Sequence, residues 1–481
     1  MPKNDAWSVS TVSMLSALNR IPMVDDIPLH DLKYRVLDDK KVVYRNAQEL
    51  AEIHSIAPHR PPKEFVSFRP ERLALHETIV SLYTTVKLED EKATQNAVAT
   101  IHARVLKNLN SLHLEPLRNE IEASNKKLIK QYLKGQDIGS ETDGAKIKQI
   151  CDQIKALPED IFGKYKEGFT AMDAMEARAT DALFTEQAMT KIKELVQSTL
   201  QEQIDSQQLE AFDIPASNER LTLMVSGGQA SGKGSSVAQL KYLATQEDIA
   251  WNNTAKINTD SYKSLLLEAA DVKPILYSQL AQEEASLISQ KINNRINQLA
   301  LENKAPHAFI DQVFLGADQI NTGLVGDGKV RGIIVSTEVG DAVERSFGRG
   351  QKEGRYENTQ VILNCHKNMA IQVPTTLAKY AGQDVAFKIV DNNVPPGTQP
   401  TDVAEIDVKN KTIVIHSEPH LERFSKKSQI NTAAKENSQL YLSDKGPSAA
   451  SYLQPLKDKS FTIKTIDEEP QIENKPDSPS Y

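Results

Sequence analysis

The stretch SGGQASGKGSS, residues 226–236, sets glycines at 227, 228, 232 and 234 around one lysine, Lys233. Glycines so spaced let a backbone bend until successive amide hydrogens face one anion, and the lysine adds a point charge. That is the chemistry of holding a polyphosphate. The motif carries this meaning when a strand precedes it and a helix follows. Both conditions are met: LTLMV from Leu221 is a short apolar run after the polar PASNER, and a helical pattern follows the glycines directly. The candidate nucleotide-binding set is Gly227, Gly228, Gln229, Ala230, Ser231, Gly232, Lys233, Gly234, Ser235 and Ser236, with Lys233 reaching the β- and γ-phosphates of ATP. Gly234 stands where a serine or threonine normally coordinates Mg2+. Ser235, one residue later, is the candidate hydroxyl beside the metal, with Ser236 as second choice.

Three further segments carry charged residues that could serve the same site. NTDSYK (258–263) supplies Asp260 where a second strand ends, and AFIDQV (308–313) ends another strand with Asp311. Ligands of open parallel sheets sit beyond the carboxyl ends of strands, so both carboxylates come to the edge that carries the loop. Taken alone, such an Asp also reads as a helix cap. AVERSFGRGQKEGRYENT (342–359) concentrates Arg345, Arg349, Lys352 and Arg355 on one helix-plus-loop segment, with Arg345 and Arg349 four apart on one helical face. Taken alone this is an ordinary solvated basic face; beside a phosphate loop, arginines on a lid offset charge on a transferring phosphoryl group.

These residues need a scaffold, and the apolar patterning predicts one. After LTLMV, short apolar runs recur at AFI (308–310), GIIVS (332–336) and VAFKIV (385–390), separated by helical segments such as 280–301 with Leu280, Leu287, Ile288 and Ile292 in step. Strands alternating with helices imply an α/β domain, a parallel sheet with helices on both faces. AEIDVKNKTIVIHS (404–417) reads as a hairpin of two alternating strands appended to that sheet. Upstream, Leu75, Ile79, Tyr83 and Val86, then Ile101, Val105, Leu109 and Leu112, then Ile147, Ile150, Cys151, Ile154 and Leu157, and finally Met189, Ile192, Val196 and Leu200 keep helical period, with an interruption near Pro158 and Gly168. The expected organisation is an irregular N-terminal arm (1–71), an all-α helical bundle (72–210), the phosphate-loop domain with its hairpin (215–425), and a mostly disordered polar tail (426–481).

Composition bounds the function classes. The chain has 481 residues, 39% of them apolar and 25% charged, with a net charge of −8. An acidic balance argues against holding long duplex nucleic acid by phosphate neutralisation. No apolar run approaches the ~20 residues of a membrane-spanning helix, and the first residues, MPKNDAWSVSTVSM, lack the pattern of a signal peptide. The chain is expected to fold in a cytosol. Cys151 and Cys365, the two cysteines, read as core thiols. His416 and His420 are spaced to share a helix face, yet no third ligand type stands near them, so no metal site is assigned there.

The order GGxxSGKGS, Asp after the second strand, hydrophobic-Asp after the third, an Arg345–Arg355 lid, and an apolar strand ending in Asp391-Asn392 resembles the zeta toxin family of kinases over roughly residues 215–395. The resemblance implies a loop lysine on ATP phosphates (Lys233), a general base (Asp260), an acidic residue orienting substrate (Asp311), and two phosphate-binding lid arginines (Arg345 and Arg355, with Arg349 the alternative for one). Two positions depart from the family: Gly234 for Ser or Thr, and Asp311-Gln312-Val313 for Glu-Gly-Thr. The layout with an added helical region looks like larger bacterial effector proteins, some of which phosphorylate NAD.

The expected function is an ATP- and Mg2+-dependent phosphotransferase acting on a hydroxyl of a sugar, nucleotide-sugar or nucleotide substrate such as UDP-N-acetylglucosamine or NAD. Two alternatives stay open. Gly-Lys-Gly-Ser resembles the Gly-Lys-Gly-Thr of adenylate-type enzymes, which implies a nucleoside monophosphate kinase. A nucleotide-switched binding protein or NTPase would make the helices the working part. The resemblance also implies an antitoxin-like or host protein partner over the ATP cleft. The serine- and proline-rich end resembles secretion signals of type IV effectors translocated into a host cell; a solubilising tail is the other reading.

Overall fold

The computed structural model describes residues 70–139, 142–157, 168, 170–268, 282–353, 359–395 and 397–466. The expected N-terminal arm therefore lies outside the described residues, except for its last two, which open a helix.

Among the described residues, five helices come first: α1 (Pro70–Thr85), α2 (Glu91–Asn108), α3 (Leu114–Leu133), α4 (Thr142–Lys155) and α5 (Ala171–Asp205). Their ends follow side-chain chemistry. Pro70 opens α1, where its missing N–H costs nothing. Asp90 caps α2 by accepting from the Ala93 amide at 2.7 Å. Thr170 and Asp173 form a reciprocal capping box at the start of α5. Inside the layer Arg118 pairs with the buried Asp181 at 2.8 Å and lies over the Phe184 ring.

Helix α1 departs from the amphipathic reading. It is buried on every side, polar positions His76, Glu77, Thr78 and Ser81 included. A helix enclosed all round is a core helix, and α1 has partners on both flanks: α2 and α5 on one, strand β2 (Thr254–Asn258) and helix α8 (Gln282–Leu301) on the other. One hydrophobic core runs from Leu73 and Ile79 through Phe184 to Ile257, Tyr262 and Ile292.

The remaining elements build the sheet domain. In chain order they are β1 (Leu221–Gly227), α6 (Lys233–Gln246), β2, α7 (Thr259–Glu268), α8, β3 (His307–Gln312), α9 (Ala317–Leu324), β4 (Lys329–Ser336), α10 (Val339–Glu353), α11 (Thr359–Lys379) and β5 (Val385–Asp391). A hairpin, β6 (Thr401–Asp407) and β7 (Thr412–Ile415), then helices α12 (Glu418–Lys426), α13 (Ala449–Tyr452) and α14 (Gln454–Lys457), and strand β8 (Thr462–Thr465) complete it. The sheet order is β2-β3-β1-β4-β5-β6-β7-β8. The first five strands are parallel, and the hairpin joins β5 antiparallel. Helices on both faces and the appended hairpin agree with the sequence reading.

Strand β1 is buried throughout. Its odd positions Leu221, Leu223 and Val225 pack with Leu240 and Ala244 of α6, while Met224 faces the core that contains Ile292, Ile320 and Val373. The chain leaves β1, runs to β2, returns through β3 on one flank of β1, then crosses to β4 on the other. A crevice opens beyond the carboxyl end of a strand where the order reverses, and here that strand is β1.

The polar tail begins later than the composition implies. Residues 427–466 are folded: Ile430, Leu440, Leu453, Leu456 and Phe461 are buried, and β8 pairs parallel with β7. These apolar residues are sparse, but each falls into a slot between α10, α11 and the hairpin, so burial offsets ordering where composition alone said it could not. Residues 467–481 lie outside the described residues. Among the described residues, no helix is long and apolar enough to cross a membrane. Cys151 and Cys365 are buried, and neither forms a disulfide.

Candidate active site

The phosphate loop leaves β1 at Gly227 and enters α6 at Lys233, so it fills the crevice at the strand-order reversal. Gly232 sits at φ +84°, where a side chain is strained, and a Cβ there would lie 2.0 Å from Asn392 Nδ2. A Cβ on Gly228 would lie 2.5 Å from the His366 ring. Ala230 also takes a left-handed conformation, at φ 58°. Alternation of left- and right-handed residues turns amides toward one side and makes an anion-binding concavity, and the first turn of α6 adds N–H groups without intrahelical acceptors. Gly234, by contrast, faces open space.

Lys233 folds back over this loop: its ammonium donates to the Gly227 carbonyl at 3.2 Å and lies 3.7 Å from Asp311 Oδ1. Register places Asp311 beside Val225 of β1 and beside Asn258 of β2, the last residue before α7. Asp260 follows in the first turn of α7, half exposed, its amide accepted by the Asn258 side chain and its carboxylate paired with Lys263 at 2.6 Å. Burial raises the Asp311 pKa, Lys233 opposes the rise, and the charge of Asp260 adds to it. Lys233, Asp260 and Asp311 are thus brought to one edge.

The arginines approach from the opposite flank. Arg345, on α10, donates to the Asn392 carbonyl at 3.1 Å and reaches within 3.5 Å of where a Gly232 Cβ would stand. Arg349 lies one turn further along α10, exposed. Arg355 lies outside the described residues. Of the two candidate hydroxyls, Ser235 is exposed beside Gly234, with two acceptors within reach of its one proton, the Gly232 carbonyl at 2.7 Å and Asn392 Oδ1 at 3.2 Å. Ser236 is fully buried, its hydroxyl without a hydrogen-bond partner.

Three residues to which the sequence assigned no role stand around the loop, two of them bonded to its carbonyls. His366 of α11 donates from Nε2 to the Gln229 carbonyl at 2.9 Å; burial, helped by the charge of Lys427, lowers its pKa to about 3, so the ring is neutral. Asn392, just past β5, donates from Nδ2 to the Ser231 carbonyl at 2.9 Å. Lys427, from the segment assigned to the tail, is buried with its ammonium on Ser336 Oγ, and burial lowers its pKa to about 8 against the opposing pull of Glu338 and Asp391. The one available signal was the polar pair Asp391-Asn392 ending an apolar strand.

His416 and His420 do not share a helix face. His416 lies between β7 and α12, 3.6 Å from Glu405, whereas His420 is in α12, 3.9 Å from Asp391. Among the described residues, no cluster of His, Cys, Asp and Glu could hold a metal ion. Toward a nucleotide, the residues present offer a cradle closed to side chains at Gly228 and Gly232, one ammonium for phosphate oxygens, and one exposed hydroxyl, Ser235, of the kind a nucleotide-borne Mg2+ would need.

No protein-family model matches this chain, and no curated protein matches it. Among solved structures, half of the chain (50%) is similar to 80% of a chain in the crystal structure of AvrRxo1-ORF1:-ORF2 with ATP, at 10% identity and a TM-score of 0.34. The AvrRxo1-ORF1:AvrRxo1-ORF2 structure with sulphate ions gives 11% identity and 0.36, covering 50% of this chain and 76% of that one. A structure of the PezAT chromosomal toxin-antitoxin system of Streptococcus pneumoniae matches over 51% of this chain and 88% of that chain, at 13% identity and 0.27.

Proposed function

We propose that this chain is an ATP-dependent phosphotransferase that moves the γ-phosphoryl group to a hydroxyl of a small sugar, nucleotide-sugar or nucleotide acceptor. The observation that carries the reading is the convergence, at one sheet edge, of a loop ammonium and two carboxylates on one flank and a lid arginine on the other. Phosphoryl transfer asks for little else, because it is accelerated mainly by positioning and electrostatics.

In this reading the loop amides hold the triphosphate and Lys233 leaves the Gly227 carbonyl for the β- and γ-phosphates. Ser235 is the residue that would hold nucleotide-borne Mg2+, which would supply neutralisation of phosphate charge. Asp311 orients the acceptor. Asp260 takes the hydroxyl proton as the new O–P bond forms, the bond from the γ-phosphorus to the bridging oxygen breaks, and ADP leaves. Arg345 and Arg349 offset charge on the equatorial oxygens. Asp260 is held at this edge by its ion pair with Lys263 at 2.6 Å.

The test is transfer of label from [γ-32P]ATP with Mg2+ to UDP-N-acetylglucosamine, NAD, nucleoside monophosphates and 5′-hydroxyl oligonucleotides, with Lys233→Ala as the blank. One labelled acceptor is the expected result; a labelled nucleoside monophosphate would select the monophosphate-kinase variant. One observation favours a second reading. Tyr83 of α1 packs edge-on against Tyr262 of α7 at 5.0 Å, joining the helical layer to the corner that bears Asp260. ATP hydrolysis with no acceptor labelled would favour a nucleotide switch acting on those helices.

A further inference from the structure

Asn392 makes more hydrogen bonds to the site than any strand–loop junction needs. It is 8% exposed. Its backbone N–H donates to the Ser336 carbonyl at 2.7 Å, its carbonyl accepts from Arg345 at 3.1 Å, its Nδ2 donates to the Ser231 carbonyl at 2.9 Å, and its Oδ1 accepts from Ser235 Oγ at 3.2 Å. The side-chain orientation is thereby fixed: flipping the amide would set Oδ1 against the Ser231 carbonyl oxygen.

A serine hydroxyl has one proton and two lone pairs. To give a lone pair to a cation, it must send its proton to an acceptor on the other side. Two acceptors are within reach of Ser235 Oγ, the Gly232 carbonyl and Asn392 Oδ1. The Gly232 carbonyl is the nearer and also accepts from the Ser235 amide at 3.0 Å, but it belongs to the loop itself; Asn392 Oδ1 is the acceptor that reaches the hydroxyl from outside the loop, held in orientation by its own bond to Ser231. Partners behind a ligating group govern metal affinity nearly as strongly as the ligand itself.

Building on the kinase reading, we propose that Asn392 is a positioning residue that takes the Ser235 proton, aims the Ser235 lone pair at nucleotide-bound Mg2+, and fixes the loop and the lid arginine in the same register. It touches neither nucleotide nor acceptor. Its signature is the strengthening of ATP binding by Mg2+.

The experiment measures the Kd of ATP by isothermal titration in EDTA and in excess MgCl2 for the full chain, Asn392→Ala, Asn392→Asp and Lys233→Ala, with thermal unfolding of each. The wild type is expected to bind ATP more tightly with Mg2+. Asn392→Ala should lose roughly 10–100-fold of that enhancement, and Asn392→Asp, which keeps an acceptor but loses the donor to Ser231, should keep it while binding ATP more weakly in EDTA. Equal loss of the enhancement in both variants would overturn the proposal, since loop anchoring at Ser231 would then explain the effect. An Asn392→Ala protein with the full enhancement would overturn it as well. No binding of ATP by the wild type would instead sink the kinase reading on which it rests.

Discussion

Lys233→Met removes one charge and keeps the aliphatic stem, so its consequences can be worked from two distances. The ammonium lies 3.7 Å from Asp311 Oδ1, and both side chains are less than a quarter exposed. An attraction at that range is bounded by about 4 kcal/mol in an effective dielectric of roughly 20. Desolvation of both charges cancels most of it, so global stability should fall by only about 1 kcal/mol. Turnover should fall far more, because a preorganised cation facing developing phosphoryl charge contributes about 3–4 kcal/mol in the transition state, or roughly 10²–10³-fold in kcat/KM. A second readout follows from the buried acid. Lys233 is what holds the Asp311 carboxyl down against burial, so its removal must raise the Asp311 pKa further. The folded state then binds more protons than the unfolded chain between the unfolded carboxylate value, about 3.9, and the raised one. Relative to the wild type, whose Asp311 pKa burial already raises, the destabilisation from this acid is absent below both folded values, grows as pH rises from the wild-type value to the variant's and is constant above. Steady-state kinetics, urea unfolding across pH and carboxyl-carbon NMR of Asp311 measure the three effects. Near-normal turnover, or an Asp311 titration that stays in place, would refute the assignment of Lys233 to this site.

Gly232→Ala should weaken ATP binding at least tenfold, because φ +84° costs about 1–3 kcal/mol with a Cβ and the methyl displaces the Asn392 amide, 2.0 Å away; isothermal titration checks it. The His366 imidazole, with its pKa lowered to about 3, should show no titration by NMR above about pH 4.5, and its contribution to stability should be lost as pH falls from the unfolded value near 6.5 toward 3, which acid unfolding compared with His366→Gln would reveal. Truncation after Lys426 should prevent folding, since Ile430, Leu440, Leu453, Leu456 and Phe461 are buried and, at about 1.5–3 kcal/mol each, together contribute an amount comparable to the whole ~5–15 kcal/mol by which domains are stable.

What the sequence determined by itself was whatever is short in range. The loop glycines and Lys233 lie within seven residues of the strand that presents them, and alternation along 404–417 revealed the hairpin because a strand repeats every two residues. The carboxylates at 260 and 311 were legible because strand ends in a parallel sheet share an edge. Tertiary structure decided the rest, where the partner is remote. His366 holds a loop carbonyl 137 residues away and Asn392 one 161 residues away; no local period encodes such a pair, since each is an ordinary polar residue until the sheet order brings it under the loop. Helix α1 looked amphipathic because its polar positions seemed to mark a wet face, and only the sheet domain packed on that face buried them. The segment from Lys427 to Ile466 has too few apolar residues to fold alone, and it is ordered because the rest of the molecule supplies the other half of every contact.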